Sequence, residues 1–188
     1  MTTQWFLVRS CPRVAAAALA ILLASRPASA QQSFDPETRL RELGITLPTP
    51  DAPIANYVKA VRTGNLVFLA GHGPCGPREE RATGKVGRER TLEDGYYAAR
   101  MTGVCVLASL KAEIGDLKKV VRIVKVLGMV NAVEDFDQHP RVVNGFSDLM
   151  VAVFGDRGKH ARSAVGMGSL PGNLTVEIEM IVEVSREP

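Results

Sequence analysis

The segment 174–184, Leu-Thr-Val-Glu-Ile-Glu-Met-Ile-Val-Glu-Val, alternates with a strict period of two. Leu174, Val176, Ile178, Met180, Val182 and Val184 fall on one side, and Thr175, Glu177, Glu179, Ile181 and Glu183 on the other. This pattern predicts a β-strand with one face on a hydrophobic core, because a slip of one residue would turn three carboxylates inward. The rest of the chain must therefore supply neighbouring strands and an apolar layer. Just upstream, the run that begins at Arg162 reaches this strand across Pro171-Gly172-Asn173, which reads as a hairpin.

The other elements follow from the same kind of pattern. Pro36 at a first turn, Leu40 and Leu43 on one face and Gly44 at the end predict a short helix. The proline-spaced residues 47–53 read as extended chain. Runs 57–61 and 66–69 flank the glycine-centred turn at 62–65 and predict a first hairpin. Thr91 and Asp94 form a capping box that opens a helix with Leu92, Tyr96, Ala99, Val106, Leu110 and Ile114 at helical spacing, closed by Gly115. The β-branched run 120–130 suits a strand buried on both faces. Pro140 opens a second long helix carrying Val143, Phe146, Leu149, Met150 and Val153, and Gly155 ends it. Hairpin, helix, strand, helix, hairpin is the order of an α+β domain: a mixed sheet with two helices on one face.

The N-terminus is different in kind. Arg9 and Arg13 precede an eleven-residue apolar run at 14–24, and Ala28-Ser29-Ala30 supplies small residues where a signal peptidase reads. The run falls short of the ~20 residues that span a bilayer, so a secretory signal peptide cleaved after Ala30 is expected rather than an anchor. Charge depends on this reading. The whole chain carries 23 Lys plus Arg against 20 Asp plus Glu. Removal of Arg9, Arg13 and Arg26 leaves 20 bases against 20 acids. A formally neutral mature chain without basic–aromatic clusters lacks the footprint of a nucleic-acid binder. After cleavage, no membrane partner is expected.

Several motifs look like chemistry and lack its context. Residues 71–76, Gly-His-Gly-Pro-Cys-Gly, match G-x-G-x-x-G behind a predicted strand. However, Pro74 and Pro77 remove amides and no helix opens until Thr91, so no pyrophosphate cradle forms. His72, His139 and His160 show no metal-ligand spacing, and no metal is expected. Cys75 and Cys105 could pair in an oxidising compartment, but Cys105 lies within an apolar helical stretch. Two free thiols are the expectation. Arg162 and Glu177 remain. On paired strands they form either a solvated ion pair or, if another subunit covers that face, a carboxylate clamp beside a water-positioning acid.

Five pieces of sequence carry a resemblance. Ala161-Arg-Ser-Ala-Val165, with Gly168, Leu170-Pro171 and Val176-Glu-Ile178, resembles the C-terminal signature of the RidA/YjgF family of imine deaminases. Asn56-Tyr-Val58, Leu69-Ala-Gly71, the segment 117–130 and Val143-Asn144 match in order, so the similarity runs from about Ile54 to Val184. It implies a chorismate-mutase-like fold with a six-stranded mixed sheet and two helices on one face. The domain would occupy 54–188, behind a signal peptide at 1–30 and an N-terminal extension at 31–53. It further implies a homotrimer with ligand sites between subunits and no cofactor.

In that setting Arg162 would clamp the carboxylate of a 2-imino acid, and Glu177 would orient the water that attacks the imine carbon. Tyr57, Ala70, Gly71 and Asn144 would line the cleft, with the main chain near Ala164 touching substrate. The chain departs from the family pattern at Ala70, where serine is usual, and at Ala164, Gly166 and His160. Two activities follow as expectations: an exported imine deaminase, or a trimeric carboxylate-binding protein without efficient catalysis. The endoribonuclease activity ascribed to some relatives gains little support from a neutral chain.

Overall fold

The computed structural model describes residues 1–2, 35–53, 55–75 and 82–186. The signal-peptide expectation rests on residues 9–30, which lie outside the described residues. Residues 33–188 form one compact unit. Helix α1 is Pro36–Glu42, entered through Asp35, whose carboxylate accepts from the Glu37 amide and the Thr38 hydroxyl. Strands β1 (Ala60–Thr63) and β2 (Leu66–His72) make the expected hairpin, with Gly64 at φ 59° in the turn. Helix α2 (Leu92–Ile114) opens with both hydrogen bonds of the Thr91/Asp94 capping box and closes at Gly115. Then come β3 (Val120–Asn131), α3 (His139–Phe154), β4 (Ala161–Met167) and β5 (Val176–Val184).

Five strands form one sheet in the order β1-β2-β5-β3-β4, one fewer than the resemblance implied. All pairings are antiparallel except β3 with β4. This overturns the second hairpin. β4 and β5 are neighbours in sequence but lie on opposite edges of the twelve-residue β3. The chain leaves β3, crosses through α3 and returns as parallel β4, as a helical crossover permits. It then passes a turn with Gly172 at φ 60° and inserts β5 at the sheet centre. The local turn signal at 171–173 was real; its two flanks simply take different partners.

β5 keeps its predicted facing, with Val176, Ile178, Met180, Val182 and Val184 all buried. Above them α2 and α3 form the second layer, and α1 packs on α3, where Arg39 Nε donates to the Ala152 carbonyl at 3.2 Å. The helices approach closely because Gly145 has no side chain; a Cβ there would sit 1.9 Å from the Tyr96 carbonyl oxygen. β3 corrects another expectation. It is buried on the helix side only, and Val121 and Val124 remain 45% and 37% exposed. Both helices cover the same face, so a β-branched run suited to two-sided burial has one side open in the single chain. The opposite face also exposes Val61, Phe68 and Val165.

Candidate functional site

The acid half of the site starts from the β2–β5 ladder. Leu69 pairs with Met180, but His72 pairs with Ile178, so β2 carries one extra residue in a bulge. The bulge brings Gly71 against Glu177. A Cβ at Gly71 would lie 2.0 Å from Glu177 Oε1, so only glycine leaves room for this carboxylate in its present position. Glu177 lines a cleft of about 850 Å³ together with Asp51, Tyr57, Lys59, Ala70 and Cys75. Tyr57 is 44% exposed. Burial holds the Glu177 carboxyl above the usual glutamate range, and the charge of Glu179 pushes the same way. Among the described residues no hydrogen bond or ion pair engages it.

The cation half is elsewhere. Arg162 on β4 pairs with Val126, a core residue, so its side chain leaves the helix face of the sheet. There Nη1 donates to Asn144 Oδ1 at 2.9 Å and to Ser147 Oγ at 3.0 Å, and Nη2 donates to the Pro140 carbonyl at 3.3 Å. Among the described residues these bonds leave Nε–H and one Nη2–H without a partner, and the Nε/Nη2 edge of a guanidinium can pair with a carboxylate. Ser147 in turn donates to His160 Nε2 at 3.0 Å, because His160 Nδ1 must carry the proton it gives to the Gly158 carbonyl at 2.7 Å. Burial keeps His160 below the usual histidine range; the Gly158 bond opposes this and Arg162 reinforces it.

The two halves do not meet within one chain. Glu177 pairs with Met129, three residues along β3 from Val126, and so leaves the face opposite to Arg162. Their strands are separated by β3, or about 9.5 Å. The structure thus brings Glu177, Tyr57, Ala70 and Gly71 together and sets Arg162 and Asn144 apart from them. Ala164, partner of Gly128, lies with Arg162 on the helix face and packs partly against the core. Gly166 also has a reason. A Cβ there would come within 2.3 Å of His139 Nε2, so a side chain at this position displaces that imidazole.

Ser147 and His160 were not singled out from sequence as supports of Arg162. The available signal was that Asn144 and Ser147 stand three apart on one helix and so share a face. Cys75 and Cys105 form a disulfide, with Cα atoms 5.8 Å apart, contrary to the expected free thiols. Helical burial of Cys105 did not exclude pairing, since Cys75, three residues past the end of β2, reaches that helix. Beside it, the buried His72 gives its Nδ1 proton to the Ala70 carbonyl at 2.6 Å and accepts from Ser109 Oγ at 2.8 Å. Among the described residues no group of three or more His, Cys, Asp or Glu could hold a metal ion.

Comparison with known proteins bears on what this arrangement is for. A family model described as "YjgF/chorismate_mutase-like, putative endoribonuclease" matches residues 37–184. Protein TCP17 of Trypanosoma cruzi is 39% identical over 147 residues, 78% of this chain and 92% of that one. A 2-iminobutanoate/2-iminopropanoate deaminase of Dermatophagoides farinae is 28% identical over 141 residues, 74% of this chain and 94% of that one. The crystal structure of protein Atu1372 from Agrobacterium tumefaciens, of unknown function, superposes with a TM-score of 0.75 at 43% identity, covering 81% of this chain and 94% of that one.

Proposed function

Because the chain belongs to the YjgF/chorismate mutase-like family, we propose that it hydrolyses small 2-imino acids to 2-oxo acids and ammonia, in a cleft completed between copies of a homotrimer. The observation that carries this reading is Glu177, an unpaired carboxylate held above the usual range at the wall of a cleft, with the free edge of Arg162 on the opposite face. One chain cannot place both groups on one small molecule. A ring of copies can, by bringing the β4 edge of one to the Glu177 cleft of the next. The exposed Val61, Phe68 and Val165 on the sheet's open face support burial against such neighbours.

In this mechanism Arg162 binds the substrate carboxylate through Nε–H and Nη2–H, which orients the C=N bond. Glu177 accepts a proton from water as the water oxygen bonds to the imine carbon and the C=N π pair moves to nitrogen, and the Glu177 carboxyl then returns that proton to the nitrogen. In the resulting carbinolamine Glu177 takes the hydroxyl proton and passes it to the amine nitrogen, the C–N bond breaks, ammonia leaves and the carbonyl forms. The sum is imino acid plus water to oxo acid plus ammonia. A carboxyl with a raised pKa suits the step, since a stronger base accepts the proton of water more readily.

A second reading is a carboxylate-binding trimer without efficient turnover, favoured by Ala70, which brings no hydroxyl to the cleft. One experiment separates them: ammonia release from enzymatically generated 2-iminopropanoate and 2-iminobutanoate, wild type against Arg162→Ala. The deaminase reading expects a large loss in the variant; equal rates dispose of it. Binding of 2-oxo acids without turnover gives the second reading. Export belongs to the same proposal, supported by the leader-like residues 9–30 and by a disulfide of the kind that persists in oxidising compartments. Exported protein would then begin at Gln31.

A further inference from the structure

The glycine-rich segment 71–76 that imitates a dinucleotide loop contains two residues that tie it to α2. His72 and Cys75 are three apart on the exit of β2, and Cys105 and Ser109 are one turn apart on the helix. One tie is covalent, Cys75 to Cys105; the other is the 2.8 Å bond between Ser109 and His72. All four residues line the same cleft as Glu177. Between the ties, Gly73 lies so close to Leu174 that a Cβ would come within 2.6 Å of its Cδ1. Part of the lining of the cleft is thus a short segment fastened at two points, and one fastening can be undone by thiol chemistry.

The two cysteines differ in exposure: Cys105 is buried at 7% exposure, whereas Cys75 is half-buried at the cleft. We propose that the Cys75–Cys105 disulfide is a dithiol-exchange site that fastens this segment, and that its reduction weakens the cleft's grip on a carboxylate ligand. The ligand part rests on the function proposed above; the exchange part does not. A thiolate of the dithiol attacks Cys75 Sγ and Cys105 leaves as a thiolate that takes a proton. The second thiol of the dithiol then attacks its own bound sulfur, releasing Cys75. Two electrons and two protons move to the protein, and the dithiol becomes a disulfide. Of the two ties to α2, the His72–Ser109 bond then remains.

The test uses full mature chain and dithiothreitol, without denaturant. Two alkylatable thiols should appear at Cys75 and Cys105, and amide exchange at Gly73 and Cys75 should rise about tenfold while central β5 amides stay protected. The dissociation constant for 2-oxobutanoate should rise about fivefold and recover on reoxidation, and Cys75→Ala should reproduce the reduced behaviour. Resistance of the disulfide to native reduction overturns the proposal, as does reduction with unchanged exchange and affinity. Unfolding of both the reduced protein and Cys75→Ala also overturns it, because the bond is then a brace. If oxidised protein does not bind 2-oxobutanoate, the carboxylate reading fails instead, and thiol and amide exchange decide the fastening alone.

Discussion

Gly71→Ala is the most discriminating single change in the cleft. An added Cβ would stand 2.0 Å from Glu177 Oε1, 2.9 Å from Cδ and 3.1 Å from Cγ. Ordinary contact begins at 3.4 Å, so the carboxylate must retreat by about 1.4 Å or swing to another rotamer. Gly71 does not have a positive φ, so alanine meets no backbone strain there. Only the end of one side chain has to move, and stability should change by less than about 1 kcal/mol. A displacement of about 1 Å in a positioned reacting group costs on the order of 10²-fold in rate, or roughly 2.7 kcal/mol of barrier. The assay is initial-rate ammonia release with thermal melting alongside. If the loss runs through the carboxylate, Gly71→Ala should add nothing in a Glu177→Gln background. Undiminished activity, or an equal further loss in that background, would refute the reasoning.

Two further outcomes follow from titrating groups. Because burial and Glu179 both raise Glu177, the acidic limb of kcat/KM should lie above the usual glutamate range; Glu179→Gln should move it to lower pH, read from a pH–rate profile. His160 is held neutral by burial, so its folded pKa lies below the unfolded value of about 6.5. Its contribution to stability is therefore present above that value and lost as pH falls through the folded pKa. His160→Gln should flatten the melting-temperature profile on the acid side of about 6.5, whereas a profile unchanged by the substitution would mean His160 is not buried neutral beside Arg162.

Much of the fold could be read from local pattern. The alternation of β5, the Thr91/Asp94 box and the Gly64 turn each encode their element through facing, capping or φ, all of which act within a few residues. Strand partnership is not local. Nothing in 161–184 announces that β4 pairs parallel to β3 while β5 goes to the sheet centre, because that choice is made by α3 crossing over and by the length of β3. The same error reaches the arrangement of the candidate residues: Arg162 and Glu177 are on opposite faces rather than cross-strand partners. The disulfide escaped for the same reason, since Cys75 and Cys105, 30 residues apart, meet only after tertiary packing.

The central claim is that Glu177 of one copy works with Arg162 of another, and mixing two defective chains tests it most directly. Arg162→Ala and Glu177→Gln should each be nearly inactive alone. In randomly mixed trimers at equal amounts, a cleft is intact when its Glu177 comes from the first variant and its Arg162 from the second. This holds for about one cleft in four in a cyclic trimer. The account predicts recovery of about a quarter of wild-type ammonia release. A mixture no more active than its parents, with exchange of subunits verified by mass, would contradict it.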